Sequence, residues 1–329
     1  MDDAADPRPG FVPPDAEIRV GVSSCLMGRN VRWDAGHKRD RFVMDRLGRF
    51  VRFVPVCPEV EIGLGTPRET LQLVRADDGP RMVGSRSGTD HTEAMRAYAR
   101  ERAAGLASLG LSGYIFKKNS PSCGLFRVRV YNDQGIPARN GRGLFAAAMA
   151  ERFHRLPMEE EGRLNDWHLR ENFIERLFAY ERVTRFFRGE WHQGDLVTFH
   201  TAEKLLLMAH DPQAYKALGR LVSGAKDRDR DAVAEEYQAA FMAAMATPAT
   251  VRKHVNVLQH IAGYFKRDLG HEDKAELQAL IDDYRNELVP LIVPVTLIQH
   301  YVRTLGVAYL ANQTYLAPHP KELVLRNHV

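Results

Sequence analysis

Three short apolar runs end at the three cysteines of this chain. Ile18-Arg19-Val20-Gly21-Val22-Ser23-Ser24 leads into Cys25, and Val51-Arg52-Phe53-Val54-Pro55-Val56 leads into Cys57. Gly113-Tyr114-Ile115-Phe116 leads, after a short gap, into Ser120-Pro121-Ser122-Cys123-Gly124. Each run has the length and the β-branched or aromatic content of a buried strand, and each stops among Ser, Pro or Gly. Polar or helix-period stretches lie between and after them. Residues 92–109 space Met95, Tyr98, Ala99, Leu106 and Leu109 as one helix face, with Asp90 or His91 as cap. Residues 141–156 form an Ala-rich helix closed by Pro157. Strands at 71–74 and 81–83 flank Asp77-Asp78-Gly79-Pro80 as a hairpin, and 126–131 alternates as a half-exposed strand. Alternating β and α elements predict an α/β, Rossmann-like N-terminal domain with a largely parallel sheet. Ligands of such sheets bind at the carboxyl edge of the strands, where all three cysteines fall.

Past Pro157 the pattern changes. Glu159-Glu160-Glu161-Gly162 reads as a linker or an N-terminal helix cap. Helical periods then fill 167–188, 201–210, 212–221, 231–245, 250–269, 274–288 and 293–301, which predicts an all-α C-terminal bundle. The expected organisation is a disordered leader over 1–15, a catalytic α/β domain over 16–157 and an all-helical domain over 158–329. The leader carries Asp and several prolines but no basic or apolar signal-peptide region. No apolar run reaches the roughly 18 residues that span a bilayer, so no membrane partner is expected. Three cysteines in 329 residues do not build a disulfide framework, which fits a reducing, cytoplasmic setting. A formal net charge of +4 permits a nucleic-acid partner without requiring one. Oligomeric state stays open.

Within 251–269, Val251, Val255, Leu258, Ala262 and Phe265 share one helix face, and Lys253, Asn256, His260, Tyr264 and Arg267 the other. A cationic face with an interleaved aromatic suits phosphates and bases. An ordinary solvated face has the same pattern.

The cysteines lie too far apart for a C-x-x-C site. Three readings are open: buried thiols acting as small apolar side chains, a zinc site completed by His37 or His91, or a 4Fe-4S cluster on three thiolates with one iron left open to substrate. Glu59 stands beside Cys57, and Ser120 just precedes Cys123. Near a Lewis acid they would move protons; otherwise they are a surface acid and a turn residue. The phosphate-binding motifs G-x-x-x-x-G-K-[ST] and strand-following G-x-G-x-x-G do not occur.

Ser24-Cys25-Leu26-Met27-Gly28, Val31-Arg32-Trp33-Asp34, Cys57-Pro58-Glu59-Val60, Gly63-Leu64, Pro67-Arg68 and Ser120-Pro121-Ser122-Cys123-Gly124 follow one another within 17–156. In this order they resemble the thiouracil desulfidase (TudS-like) domain. Lys253-His254-Val255-Asn256-Val257-Leu258-Gln259-His260 and Pro290-Leu291-Ile292-Val293-Pro294 resemble the YbgA-like helical domain. The fusion is similar to the tRNA 4-thiouridine desulfidases (RudS-like proteins). The resemblance implies a 4Fe-4S cluster on Cys25, Cys57 and Cys123, whose open iron takes the thiocarbonyl sulfur. It places Glu59 and Ser120 at the positions of the family's acid/base chemistry. The implied reaction is a non-redox hydrolysis of 4-thiouridine in tRNA to uridine, with release of sulfide. The family more often has Tyr at Trp33 and Gly at Ala35, and fused members often have Asp at Asn119; none of these departures removes a ligand. The helical domain is expected to grip tRNA, with Lys253, His260 and Arg267 as candidates taken from the helix wheel. Two further readings stand beside this one: a desulfidase of free thiouracil with a merely structural helical half, and a non-enzymatic iron–sulfur redox sensor or RNA-binding regulator. A zinc-supported structural module is the last.

Overall fold

A computed structural model describes residues 17–328, so the leader expected at 1–15 lies outside the described residues. The chain divides into one unit over Glu17–Asp166 and a second that begins at Trp167.

The apolar runs of the first unit become strands, β1 and β5 buried almost throughout and β2 half-buried at the sheet edge. β1 (Arg19–Ser23) and β2 (Arg52–Val56) pair in parallel, and a short helix, α1 (Pro58–Glu61), follows β2. The hairpin of β3 (Leu71–Val74) and β4 (Arg81–Gly84) forms at the expected place. α2 (Thr92–Ala107) comes next, and the Asp90 carboxylate accepts the Thr92 N–H at 2.8 Å at its start. β5 (Leu111–Phe116) is buried at every position. β6 (Val128–Tyr131) and β7 (Pro137–Gly141) form a second hairpin before α3 (Leu144–Arg152) and a last strand, β8 (Met158–Glu160). One sheet has the order β2-β1-β5-β8 and is parallel throughout. A second sheet, of order β4-β3-β6-β7, joins two antiparallel hairpins through a parallel β3–β6 contact.

The core of the parallel sheet depends on one close approach. The Tyr114 ring lies over β1 so tightly that a Cβ on Gly21 would fall 2.2 Å from it. Tyr114 in turn packs on Phe116 and Phe145, with centroids 4.2 and 5.9 Å away.

The glutamate run expected as a linker or a helix cap is the end of a strand and the turn after it. β8 pairs with β5, and each carboxylate has a partner. Glu159 meets Arg163, Glu160 accepts the Leu125 and Phe126 N–H groups, and Glu161 accepts the Lys118 N–H and pairs with the Lys117 ammonium. Burial of a charge is tolerated where it is paired and hydrogen-bonded. The first compact unit runs on to Asp166, past Pro157.

The second unit is helical: α4 (Trp167–Arg188), α5 (Gln193–His210), α6 (Pro212–Ser223), α7 (Arg230–Ala246), α8 (Val251–Ala262), α9 (His271–Arg285) and α10 (Ile292–Leu305). α8 stops short of the expected 269 and tightens into a 3-10 turn, Gly263–Phe265, that still buries Phe265. Buried ion pairs cross this core. Glu175 on α4 accepts from His210 at 3.0 Å and from Arg326 at 2.9 Å, and Arg182 meets Glu203 at 2.7 Å. Burial acts to raise the Glu175 carboxyl, but the His210 hydrogen bond and the Arg326 charge together hold it well below the usual range. Among the described residues no helix is long and apolar enough to cross a membrane.

Removing one partner of a fully buried pair strands the other charge, at a cost of about 3–5 kcal/mol. Arg326→Leu is accordingly expected to lower the urea midpoint of the helical signal in the full chain. An unchanged midpoint would show that the pair contributes nothing.

Candidate active site

Three adjacent strands of the parallel sheet, β2, β1 and β5, carry the three cysteines just past their carboxyl ends. β1 runs into a single 3-10 turn, Ser24–Met27, which buries Cys25. β2 stops at Cys57, which caps α1; Pro58 starts that helix and Glu59 occupies its first turn. β5 is followed by a longer turn in which Asn119 takes φ +59. This left-handed conformation is one that Asn and Asp adopt more readily than most residues. All three thiols line one cavity of about 370 Å³.

The cysteine-bearing turn after β5 is held from behind by a helix start. The first N–H groups of α3 donate to its carbonyls: Leu144 to Pro121 at 3.0 Å, and Phe145 and Ala146 to Ser122 at 3.0 and 3.1 Å. Orphan donors of the helix and unpaired carbonyls of the turn thus satisfy one another. The fit leaves no space at Gly143, where a Cβ would sit 2.5 Å from the Ser122 carbonyl.

Glu59 is the centre of the polar wall. One carboxylate oxygen accepts Nε of Arg68 at 3.1 Å; the other accepts the Ser122 hydroxyl at 2.7 Å and the Ser120 hydroxyl at 3.3 Å. The two hydroxyls are 2.9 Å apart, and Ser122 Oγ lies 3.6 Å from Cys123 Sγ. Arg68 also donates to the carbonyls of Val31 at 3.1 Å and Gly65 at 2.7 Å, which fixes its guanidinium. Cys57 Sγ sits 3.8 Å from the same Val31 carbonyl. The sequence-selected Cys25, Cys57, Cys123, Glu59 and Ser120 are therefore gathered at one place. In the sequence Ser122 and Arg68 stand only as neighbours within motifs, and the structure links both directly to Glu59.

Burial raises the pKa of all three thiols, Cys25 to about 11 even with Lys117 nearby. Thiols so buried are weak nucleophiles, and a thiophilic metal ionises them by displacing their protons. The donor set suits a cluster. Three soft ligands share a cavity with five basic residues, Arg32, Lys38, Arg68, Lys117 and Lys118, and Glu59 is the one acid in its lining. A cluster on three thiolates would carry net negative charge; Arg32, Arg68 and Lys117 each meet a carboxylate, which leaves Lys38 and Lys118 in that lining to offset it. Neither His37 nor His91 lines the cavity, and among the described residues no three His, Cys, Asp or Glu side chains converge closely enough to bind a single ion. The zinc site with a histidine ligand therefore lacks its geometry.

The face expected on α8 is only partly open. Lys253 is half-buried, and its ammonium donates to the carbonyls of His210 at 2.5 Å and Pro248 at 3.4 Å. Its charge completes the carboxyl end of α5 rather than facing solvent. His260 and Arg267 are exposed. Tyr264 packs edge-on to His260 and stacks on Tyr309, with centroids 5.7 and 5.0 Å away. Lys204 lies 6.0 Å over the Tyr309 ring, a neighbour that a one-helix wheel does not show.

Residues 20–161 match the 2-thiouracil desulfurase family, and residues 204–320 match a family of proteins of unknown function, DUF1722. The chain is 31% identical over 153 residues to the uncharacterized protein YbgA of Escherichia coli, a match covering 46% of this chain and 90% of that one. It is 31% identical over 151 residues to the uncharacterized protein YbbK of Bacillus subtilis, covering 44% of this chain and 97% of that one. A solved structure described as a 4Fe-4S-dependent thiouracil desulfidase, TudS, is 33% identical, with 46% of this chain and 95% of that one covered at a TM-score of 0.37. The chain belongs to the 2-thiouracil desulfurase family in its first unit and to the YbgA-like DUF1722 family in its second.

The crowding at Gly143 gives a direct check of the site's scaffold. Overpacking of this kind costs about 1–3 kcal/mol, so Gly143→Ala is expected to lower the unfolding free energy by that amount, read by urea denaturation. Equal stability would mean that the Ser122–Cys123 backbone moves without penalty.

Proposed function

We propose that this protein is a non-redox, iron–sulfur-dependent desulfidase that converts 4-thiouridine in tRNA to uridine and releases sulfide. The observation that carries the reading is the Arg68–Glu59–Ser122 chain, which ends beside Cys123 in a cavity lined by three thiols. Cys25, Cys57 and Cys123 would hold a 4Fe-4S cluster. When bound, that cluster supplies an open iron, a Lewis acid with an affinity for the thiocarbonyl sulfur.

The chain's own residues supply the rest. Water adds at C4 of the ring, the C–S bond breaks, and oxygen replaces sulfur with no net electron transfer. Glu59 takes a proton from the attacking water on the oxygen that already accepts from Ser120 and Ser122. Those hydroxyls pass the proton toward the departing sulfur, so the pair acts as base and then as acid. Arg68 holds the carboxylate in one orientation, and its fixed bonds to Val31 and Gly65 keep the geometry from relaxing between the two steps. The basic lining accommodates an anionic substrate and the sulfide that leaves.

Glu59→Gln keeps the shape of the site and removes its base. Turnover is expected to fall by about 10²–10⁴-fold, the usual contribution of a positioned acid–base group, with iron content unchanged. Wild-type turnover in that variant would remove Glu59 from the chemistry.

Anaerobic incubation of reconstituted protein with thiolated tRNA tests the whole reading. Loss of 4-thiouridine should match the sulfide released, and both should vanish in Cys25→Ala together with bound iron. Turnover of free thiouracil alone would restrict the substrate to the base. An intact cluster with no turnover of either would leave a sensor or regulator.

A further inference from the structure

The second sheet takes no part in the chemistry above, yet its outer face has an electrostatic cost built into it. Arg129 on β6 and Arg139 on β7 are direct cross-strand partners, and both are exposed. Among the described residues neither guanidinium has a carboxylate partner or a hydrogen bond. Like charges directly opposite one another destabilise an antiparallel pair, and an anion bound between them would offset that cost. Tyr131 stands on the same face of β6 as Arg129, because alternate residues of a strand share a side.

The position of this pair points to the anion. A groove of about 430 Å³ runs over the β3–β6 contact, lined in part by Gln72, Ser85, Arg129 and Tyr131. It shares Thr70, Leu71, Asn119 and Pro121 with the cavity that holds the three thiols. A groove adjoining the thiol-lined cavity, with the Arg129 guanidinium and the Tyr131 ring in its wall and Arg139 across the strand pair from Arg129, has the features of a single-strand platform: cations for phosphates and a ring for a base.

We propose that this groove carries the RNA strand flanking the thiolated nucleotide, with Arg129 and Arg139 sharing one backbone phosphate and Tyr131 stacking on an adjacent base. The inference rests on the proposed RNA substrate and places its phosphate contact on the catalytic unit, apart from the α8 face. A phosphate between the two arginines turns a repulsive pair into a bidentate clamp, since guanidinium groups match phosphate oxygens geometrically.

The test uses the reconstituted full chain, with Arg129→Ala/Arg139→Ala and Tyr131→Ala variants. On 4-thiouridine-containing tRNA the double variant is expected to raise KM by about tenfold and to flatten the log affinity–log salt slope by about 1, the loss of one phosphate contact. Turnover of free thiouracil should stay at the wild-type value in both variants. Tm of the double variant should equal or exceed that of wild type, because the repulsion is relieved; this separates lost binding from lost folding. Tyr131→Ala should raise KM and leave the salt slope unchanged. An unchanged KM and slope in the double variant, with wild type active on tRNA, overturns the clamp. Wild-type protein that turns over free thiouracil but not tRNA overturns the RNA reading itself, and the clamp with it.

Discussion

Parallel pairing of β1 with a neighbour on each side is the constraint on which the first unit depends. The register sets Ser23 opposite Val56 and Val22 opposite Ile115. Three strands that enter the sheet in the same direction and register must also leave it side by side. The turns after β1 and β2 therefore deliver Cys25 and Cys57 to neighbouring positions almost at once. β5 behaves differently. Its chain overshoots by a longer turn, and Cys123 returns to the site only because that turn is clamped onto the amino end of α3. A parallel sheet with covered faces is rigid, so donors fixed at its edge need no large rearrangement to hold a cofactor.

The same edge decides how a carboxylate comes to lie among thiols. Glu59 belongs to the first turn of α1, whose start is pre-organised by Pro58. Its side chain is 15% exposed and that of Arg68 is 7% exposed, so little water screens the pair. Arg68 is in turn saturated by two carbonyls, leaving one carboxylate oxygen for the serines. A site assembled in this way has one acid whose second oxygen is held by the two serines, and Ser122 in turn stands beside Cys123.

Much of this was legible from the sequence because strand ends and helix faces announce themselves by period. The three cysteine turns, the β3–β4 hairpin and the helical second half were read from alternation, turn residues and apolar spacing. β7 could not be read this way. Its Pro137-Ala138-Arg139-Asn140-Gly141 has almost no apolar side chains, and backbone pairing with β6 alone makes it a strand. β8 misled for a related reason, since three glutamates look like a linker until their tertiary partners are known. The link from Arg68 through Glu59 to Ser122 was hidden because its members are distant in sequence and no local pattern reports such a contact. A helix wheel registers the direction of Lys253 but not the α5 carboxyl end that lies beside it.

The arginines of the first unit show why direct opposition carries more information than charge alone. Arg19, Arg32, Arg39 and Arg96 each meet a nearby carboxylate at the surface, where such pairs contribute little. An isolated exposed guanidinium is also nearly neutral for stability, because water solvates it in the folded and unfolded states alike. Two arginines set opposite one another by a strand register are different, because folding itself brings their backbone positions together and water does not remove the repulsion entirely. That cost is local and is avoidable by many single substitutions on an exposed strand such as β7. A composition that tolerates it beside a groove adjoining the thiol-lined cavity is more economically explained by a ligand than by the stability of the sheet.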